Sequence, residues 1–140
     1  MKRVEFKNRD ITVVGNLYLP ENFNEQEQWP AIAVCHPAGG VKEQTAGTYA
    51  AEMAKQGYVT VTYDASYQGE SSGEPRQMEN PYIRVEDVSA AVDFLTTLPY
   101  VDNNRIGGTR HLCRRWLCGC RCHARPSYQD RRNRQCREYR

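Results

Sequence analysis

The stretch that decides the fold is PAIAVCHPAGG, residues 30–40. Its first half is an unbroken apolar run over 31–35, and its second half is a short turn sequence with two glycines. An apolar run without polar alternation predicts a strand covered on both faces, as in the middle of a mostly parallel sheet. Glycine lets a turn bring its backbone close to another molecule. The stretch therefore predicts a buried strand that is followed by an open loop.

The residues after this loop predict a βαβ unit. TAGTYAAEMAKQ, residues 45–56, has a helical stripe, and Gly57 is typical of the position just after a helix. The stripe consists of Tyr49, Ala50, Met53 and Ala54. YVTVTYD, residues 58–64, predicts a second strand. A strand, a helix and a strand in this order predict a parallel pair with a right-handed crossover.

An antiparallel hairpin is predicted before this unit. RVEF (3–6) and ITVVGNLYL (11–19) both alternate apolar and polar residues with period two. Asn8 to Asp10 supply turn chemistry between them, and a polar loop follows from Pro20 to Pro30.

A second helix is predicted over NPYIRVEDVSAAVDFLTTL, residues 80–98. Asn80 is a plausible N-cap, Pro81 suits the first helical position, and Pro99 ends the helix. One apolar stripe is formed by Val85, Val88, Val92 and Leu95. DNNRIG then leads into a further parallel strand. The predicted class is α/β: an edge antiparallel hairpin, parallel strands and flanking helices.

Four motifs in this order resemble the first half of an α/β-hydrolase of the dienelactone-hydrolase-like and peptidase-like branch. They are GNLYLP in the hairpin, HPAGG at 36–40, YDASYQGESSGEPR after the second parallel strand, and TLPYVDNNRIG at the end of the second helix. Each motif is weakly specific, but the ordered set is strong and covers about residues 4–107. The resemblance implies a partial α/β-hydrolase sheet over residues 1–107, a truncated N-terminal portion of the family fold.

The resemblance also implies a function for the HPAGG loop. In this family the loop turns backbone N–H groups toward the carbonyl oxygen that becomes negative during acyl transfer. It implies an oxyanion donor at Ala38, a second candidate at Gly39, and a loop-shaping role for His36. His36 is not expected to be the catalytic base, which in the family lies near the C-terminal end.

GESSG, residues 69–73, matches the pattern of a nucleophile elbow but is rejected as one. The elbow needs a strand directly before it and a helix directly after it. Here SYQ precedes the motif and EPRQMENP follows it, which is loop chemistry. Ser71 is therefore not expected to be a nucleophile. For the carboxylates Asp64, Glu70, Glu86 and Asp87 we expect loop hydrogen bonds and a solvated helix face.

The composition changes at residue 107. Residues 1–107 hold 9 Lys and Arg against 15 Asp and Glu, whereas residues 108–140 hold 10 Arg, no Lys and 2 acidic residues. Five of the six cysteines lie in this tail: Cys113, Cys118, Cys120, Cys122 and Cys136. The body has the cysteine usage of a reduced cytosolic protein. No signal-like or membrane-spanning run occurs, so a cytoplasmic location without a membrane partner is expected.

The tail allows several interpretations, of which a disulfide framework contradicts the cytosolic cysteine usage of the body. Its cysteines are one residue apart between 118 and 122, closer than zinc ligands usually stand, so no metal or other cofactor is expected. Its arginines lack a recognisable nucleic-acid-binding motif, so no nucleic-acid partner is expected. A non-enzymatic binding module whose basic, cysteine-rich tail contacts metal or nucleic acid remains the alternative function. The remaining interpretation is a shifted reading frame.

The codons of the tail can be tested for such a shift. If each intended codon is the last two bases of one visible codon plus the first base of the next, the frame from Gly108 permits Val-Leu-Gly-Ile-(Cys or Ser)-Ala-Gly-Gly-Gly-Tyr-Ala. In the shifted frame the Trp116 codon must encode glycine, and this glycine falls within the Gly-Gly-Gly stretch of the permitted sequence. This hidden sequence continues the strand and supplies a G-x-(C/S)-x-G elbow. We therefore predict that residues 108–140 are out of frame and disordered.

These interpretations define the expected function. The intact family member would hydrolyse an ester, lactone, thioester or amide bond of a small-molecule substrate through a Ser/Cys-His-Asp/Glu triad. The nucleophile is expected at the position now held by Leu112, and the acid and base beyond residue 140. The chain as it stands has no triad and is expected to be inactive, and to be partly folded or prone to aggregate.

Overall fold

The computed structural model describes residues 1–110, which build a five-stranded sheet and two helices. The elements are β1 (Lys2–Asn8), β2 (Ile11–Tyr18), β3 (Trp29–Cys35), α1 (Thr45–Lys55), β4 (Val59–Tyr63), α2 (Pro81–Thr96) and β5 (Val101–Arg110). All seven predicted elements are present, and the predicted α/β class is confirmed. No helix in this part of the chain is long and apolar enough to cross a membrane.

The strand order in the sheet is β1-β2-β4-β3-β5. β1 and β2 form the predicted antiparallel hairpin, and β2 also pairs antiparallel with β4. β3 lies between β4 and β5 and is parallel to both. The unbroken apolar run at 31–35 lies in this inner strand. Such a run is typical of a parallel strand that is covered on both faces.

The hairpin packs on α2 through its predicted apolar face. Phe6 lies opposite Val13 in the ladder, and its ring stacks on Phe94 with centroids 5.3 Å apart. Phe6, Val13 and Leu17 are buried in the main core. Period-two alternation identified this face correctly because each strand residue projects to the side opposite its neighbour.

Helix α1 packs on the other face through small residues, which corrects one prediction. The buried positions are Ala46, Gly47, Ala50 and Ala54, whereas Tyr49 is 44% exposed. A Cβ at Gly47 would stand 2.9 Å from the Lys42 carbonyl oxygen and 3.2 Å from the Tyr18 hydroxyl. The helix lies so close to the sheet that only small side chains fit, and a tyrosine there has to point outward. Gly57 follows the helix at φ 88°, as predicted.

Helix α2 begins where it was predicted to begin, but the face that it buries differs from the predicted apolar stripe. The Asn80 side chain accepts a hydrogen bond from the Tyr82 N–H, which confirms the N-cap. Its buried residues are Arg84, Asp87, Ala91, Val92 and Leu95, whereas Val85 and Val88 are only partly buried. The prediction of a solvated helix face is wrong for Asp87, which is completely buried. Polar partners from the hairpin and from the loop after β4 meet the helix there.

β5 runs three residues beyond the predicted boundary at 107. The predicted out-of-frame, disordered tail, with Leu112 and all five tail cysteines, otherwise lies outside the described residues.

Candidate functional site

The candidate site lies at the carboxyl edge of the parallel strands. β3 and β4 end level there, since Cys35 lies opposite Tyr63, and β5 ends with Arg110 opposite Cys35. The loops after β3 and β4 therefore leave the sheet side by side. In open α/β sheets ligands bind outside the carboxyl ends of the strands. The HPAGG loop is placed at such an edge.

The His36 ring is buried and has partners at both nitrogens. Its Nδ1 donates to the Pro37 carbonyl oxygen at 2.7 Å. Its Nε2 accepts from the Ala65 N–H at 3.1 Å and from the Arg84 guanidinium at 3.3 Å. Because Arg84 can only donate, Nε2 carries no proton, and these contacts select the Nδ1–H tautomer.

The electrostatic surroundings keep this ring neutral. Burial lowers the pKa of His36 below its usual value; the Pro37 carbonyl opposes this shift and the Arg84 charge adds to it. A neutral ring with both nitrogens occupied is poorly placed to take a proton from a substrate. That His36 is not the catalytic base and that it shapes the loop both stay predictions.

Ala38 and Gly39 form the exposed tip of the loop. The Gly40 N–H closes a turn onto the Pro37 carbonyl oxygen at 3.0 Å, and Gly39 has φ 73°. A Cβ at Gly39 would meet nothing within 4 Å, so the space above the tip is open. Among the described residues, the N–H groups of Ala38 and Gly39 have no hydrogen-bond acceptor. Their assignment as oxyanion donors stays a prediction.

A buried ion pair lies at the far end of the same loop. The Lys42 Nζ is 2.8 Å from Asp64 Oδ2, and the Lys42 N–H donates to Asp64 Oδ1 at 2.9 Å. The Glu70 N–H donates to the same carboxylate at 3.0 Å. Burial on its own would raise the pKa of Asp64, but the lysine and the two N–H groups outweigh burial and lower it. Asp64 makes the loop hydrogen bonds that were expected.

Ser71 of the GESSG motif has a structural role. Its hydroxyl donates to the Asp64 carbonyl oxygen at 2.7 Å and accepts from the Val14 N–H at 2.9 Å. The residue is buried. The hydroxyl joins β2 to the end of β4 and is not presented to a substrate, in agreement with the rejection of this motif as an elbow.

A polar cluster under the loop after β4 was missed by sequence reasoning. Arg84 Nε donates to Glu79 at 2.9 Å, and Gln68 donates to the other oxygen of Glu79 at 2.6 Å. Asp87 accepts from the Ser66 hydroxyl at 2.5 Å, the Ser66 N–H at 3.0 Å and the Asn8 side chain at 2.7 Å. Arg84 and Asp87 precede Ala91 and Leu95 at spacings of three and four, and this was the signal available in the sequence.

The described residues do not contain a complete hydrolytic triad. His36 is the only histidine in residues 1–110, and its ring nitrogens are already occupied. The predicted nucleophile position, Leu112, lies outside the described residues.

Comparisons with known proteins identify the family. Residues 11–109 match the family model Peptidase_S15, X-Pro dipeptidyl-peptidase (S15 family). The uncharacterized protein YcjY of Escherichia coli (strain K12) is 54% identical over 133 residues, which cover 93% of this chain and 42% of YcjY. That match therefore runs past residue 107 into the tail. The protein PA2218 of Pseudomonas aeruginosa is 50% identical over 107 residues, 76% of this chain and 29% of the relative.

Solved structures show the same fold. The crystal structure of PA2218 has a TM-score of 0.73 at 49% identity and covers 76% of this chain and 33% of that one. DcsB, solved in complex with its substrate analogue, has a TM-score of 0.70 at 29% identity, with 78% and 36% covered. The alpha/beta hydrolase GrgF from Penicillium sp. sh18, at 24% identity and a TM-score of 0.71, shows the fold alone, with 78% and 36% covered.

The chain spans less than half the length of these relatives. The family match, residues 11–109, covers more than half of this chain. The chain carries part of the α/β-hydrolase fold and belongs to the X-Pro dipeptidyl-peptidase (S15) family.

Proposed function

We propose that this chain is the N-terminal part of a hydrolase that cleaves an ester, lactone, thioester or amide bond of a small-molecule substrate. The observation that carries the proposal is the loop tip at Ala38 and Gly39. The two residues are exposed and their N–H groups have no acceptor among the described residues, at the carboxyl edge of the parallel strands. Backbone N–H groups held in this way stabilise the oxyanion of acyl transfer.

The end of β5 supports a nucleophile beside this loop. Arg110 lies opposite Cys35, so the chain leaves β5 next to the start of the HPAGG loop. A nucleophile elbow follows its strand directly. Leu112 stands two residues after Arg110, and a leucine side chain cannot attack a carbonyl. The shifted frame would place serine or cysteine at this position.

The chemical steps follow from these positions. The serine or cysteine attacks the carbonyl carbon while a histidine from the rest of the protein takes its proton, and an Asp or Glu orients that histidine. The carbonyl oxygen becomes negative and accepts a hydrogen bond from the Ala38 N–H. The histidine then returns the proton to the leaving group, and water hydrolyses the acyl-enzyme with the same histidine as base. The loss of one oxyanion donor typically costs about 3 kcal/mol of transition-state stabilisation.

The alternative function is a binding module without catalytic activity. Its support is the composition of the tail, with ten arginines and five cysteines. Arginines attract phosphate, and thiolates bind zinc. In this alternative the tail is translated in its true frame and the HPAGG loop is a turn without catalytic use.

The deciding experiment is to sequence the gene from codon 100 to beyond the stop codon and express the open frames. We expect one extra base near codon 107 and a longer product that hydrolyses p-nitrophenyl acetate. An active-site acylating reagent should abolish that turnover, and the 140-residue product should show none. The alternative would be supported by two results together. The sequenced gene would confirm the present frame, with no continuation of the hydrolase in the other frames, and the 140-residue chain would bind zinc stoichiometrically or bind RNA.

A further inference from the structure

The segment from His36 to Lys42, which contains the HPAGG loop, is fixed at both ends to consecutive residues. At the first end, the His36 ring accepts the Ala65 N–H. At the second end, Lys42 is held by Asp64 through both its N–H and its ammonium group. Asp64 and Ala65 are the first two residues after β4. Both ends are therefore held by buried contacts with the same short segment, residues 64–65, which directly follows β4.

Between these ends the loop has few constraints. The turn from Gly40 N–H to the Pro37 carbonyl oxygen holds the tip together, and the Val41 N–H makes a long contact of 3.4 Å with the Gln44 side chain. Ala38 and Gly39 are exposed. The direction of their N–H groups therefore depends on where the two ends are held.

The contact at Lys42 is the stronger of the two. Lys42 and Asp64 are both almost fully buried, and the carboxylate accepts three hydrogen bonds, two of them from Lys42. A charge buried in a protein is costly when its partner is removed, so neither group can move without the other. Glu43 at 2.8 Å and Glu70 at 3.6 Å are exposed and add only solvent-screened attraction for the ammonium group.

We infer that the buried Lys42–Asp64 ion pair positions the oxyanion loop, an inference that rests on the proposed function of Ala38 and Gly39. The pair is buried and acts through the loop. Because such donors stabilise charge that develops in the transition state, misplacing them lowers kcat more than it raises KM.

The test compares Lys42→Met, Lys42→Arg and the control Lys55→Met in the full-length protein. Lys55 forms an exposed ion pair with Glu52 on α1 at 2.7 Å, away from the loop. With a p-nitrophenyl ester, Lys42→Met should lower kcat about 10- to 100-fold with KM changed less than about threefold. Lys42→Arg keeps the charge and should recover part of this loss, and Lys55→Met should match the wild type. An unchanged kcat in folded Lys42→Met overturns the inference.

Amide hydrogen exchange separates this inference from the proposed function. In Lys42→Met, exchange at Gly40 and Lys42 should rise about tenfold or more while β3 and β4 keep their protection. This result supports the positioning role even if the wild type shows no turnover, in which case the proposed function alone fails. Equal acceleration in the strands would mean that the ion pair only stabilises the fold, and no acceleration at the loop would mean that it does not hold the loop; both results overturn the inference.

Discussion

Cys35 lies opposite Tyr63 in the parallel ladder of β3 and β4, so the two strands end at the same level of the sheet. The next residue of each strand, His36 and Asp64, therefore enters its loop beside the other. Because of this register, the two residues that follow β4 hold both ends of the segment from His36 to Lys42. Ala65 contacts His36 at one end, and Asp64 contacts Lys42 at the other. The site is built from two loops that are separated in sequence but share one edge.

The Ala38 N–H can be removed without changing the size of the loop. Ala38→Pro deletes this donor, and in the full-length hydrolase we expect kcat to fall about 100- to 1,000-fold. Ala38→Gly keeps the N–H and is the matched control, with kcat within about threefold of the wild type. Steady-state kinetics on folded variants measure both. Equal kcat values for the proline and glycine variants would rule out Ala38 as a donor.

Gly69 and Gly39 both have positive φ, but their surroundings differ. A Cβ at Gly69 would collide with the Asp64 carboxylate, whereas one at Gly39 meets nothing within 4 Å. Gly39→Ala should cost about 1 kcal/mol of unfolding free energy from backbone strain alone. Gly69→Ala adds a clash and should cost about 2–4 kcal/mol. Urea unfolding gives both values, and equal losses would contradict the collision.

Ser71 tests the rejected elbow. Ser71→Ala removes a buried hydroxyl that serves the Val14 N–H and the Asp64 carbonyl oxygen. We expect a loss of about 1–3 kcal/mol in unfolding free energy, because the N–H is left without its acceptor. Turnover by the folded full-length variant should persist. A complete loss of activity, with no labelling of the variant by an acylating reagent, would instead make Ser71 the nucleophile.

His36 should make stability depend on pH. Burial lowers its pKa below the ordinary 6.5, so the unfolded chain binds a proton more readily than the folded protein does. The contribution of His36 is fully present above pH 6.5 and is lost as pH falls through the lower folded pKa. His36→Gln should weaken the pH dependence of the unfolding free energy below about pH 6.5. If the unfolding free energy of His36→Gln depends on pH as steeply as that of the wild type, His36 is not the source of the pH dependence.

The sequence predicted the order and type of the elements because those signals are local. The unbroken apolar run at 31–35, the alternation at 11–19 and the Asn80–Pro81 cap each depend on neighbouring residues. The same analysis found the HPAGG loop, since a turn with two glycines after a buried strand is visible without a structure. The comparisons confirm the α/β-hydrolase resemblance over this part of the chain.

The structure added the contacts that join distant segments. Lys42 meets Asp64 across 22 positions, and Asp87 meets Asn8 across 79. In both cases a charged residue that composition alone assigns to the surface is buried by its partners. Tyr49 faces outward for the converse reason, since the close approach of α1 to the sheet leaves room only for small side chains.

Sequence by itself determined the α/β elements of residues 1–107 and the loop that carries the candidate donors, because hydrophobic periodicity and turn chemistry act between near neighbours. Only the tertiary structure decided which polar groups are buried together, because burial of a charge depends on partners that the register of the sheet brings to one edge. Lys42, Asp64 and His36 surround the loop for that reason.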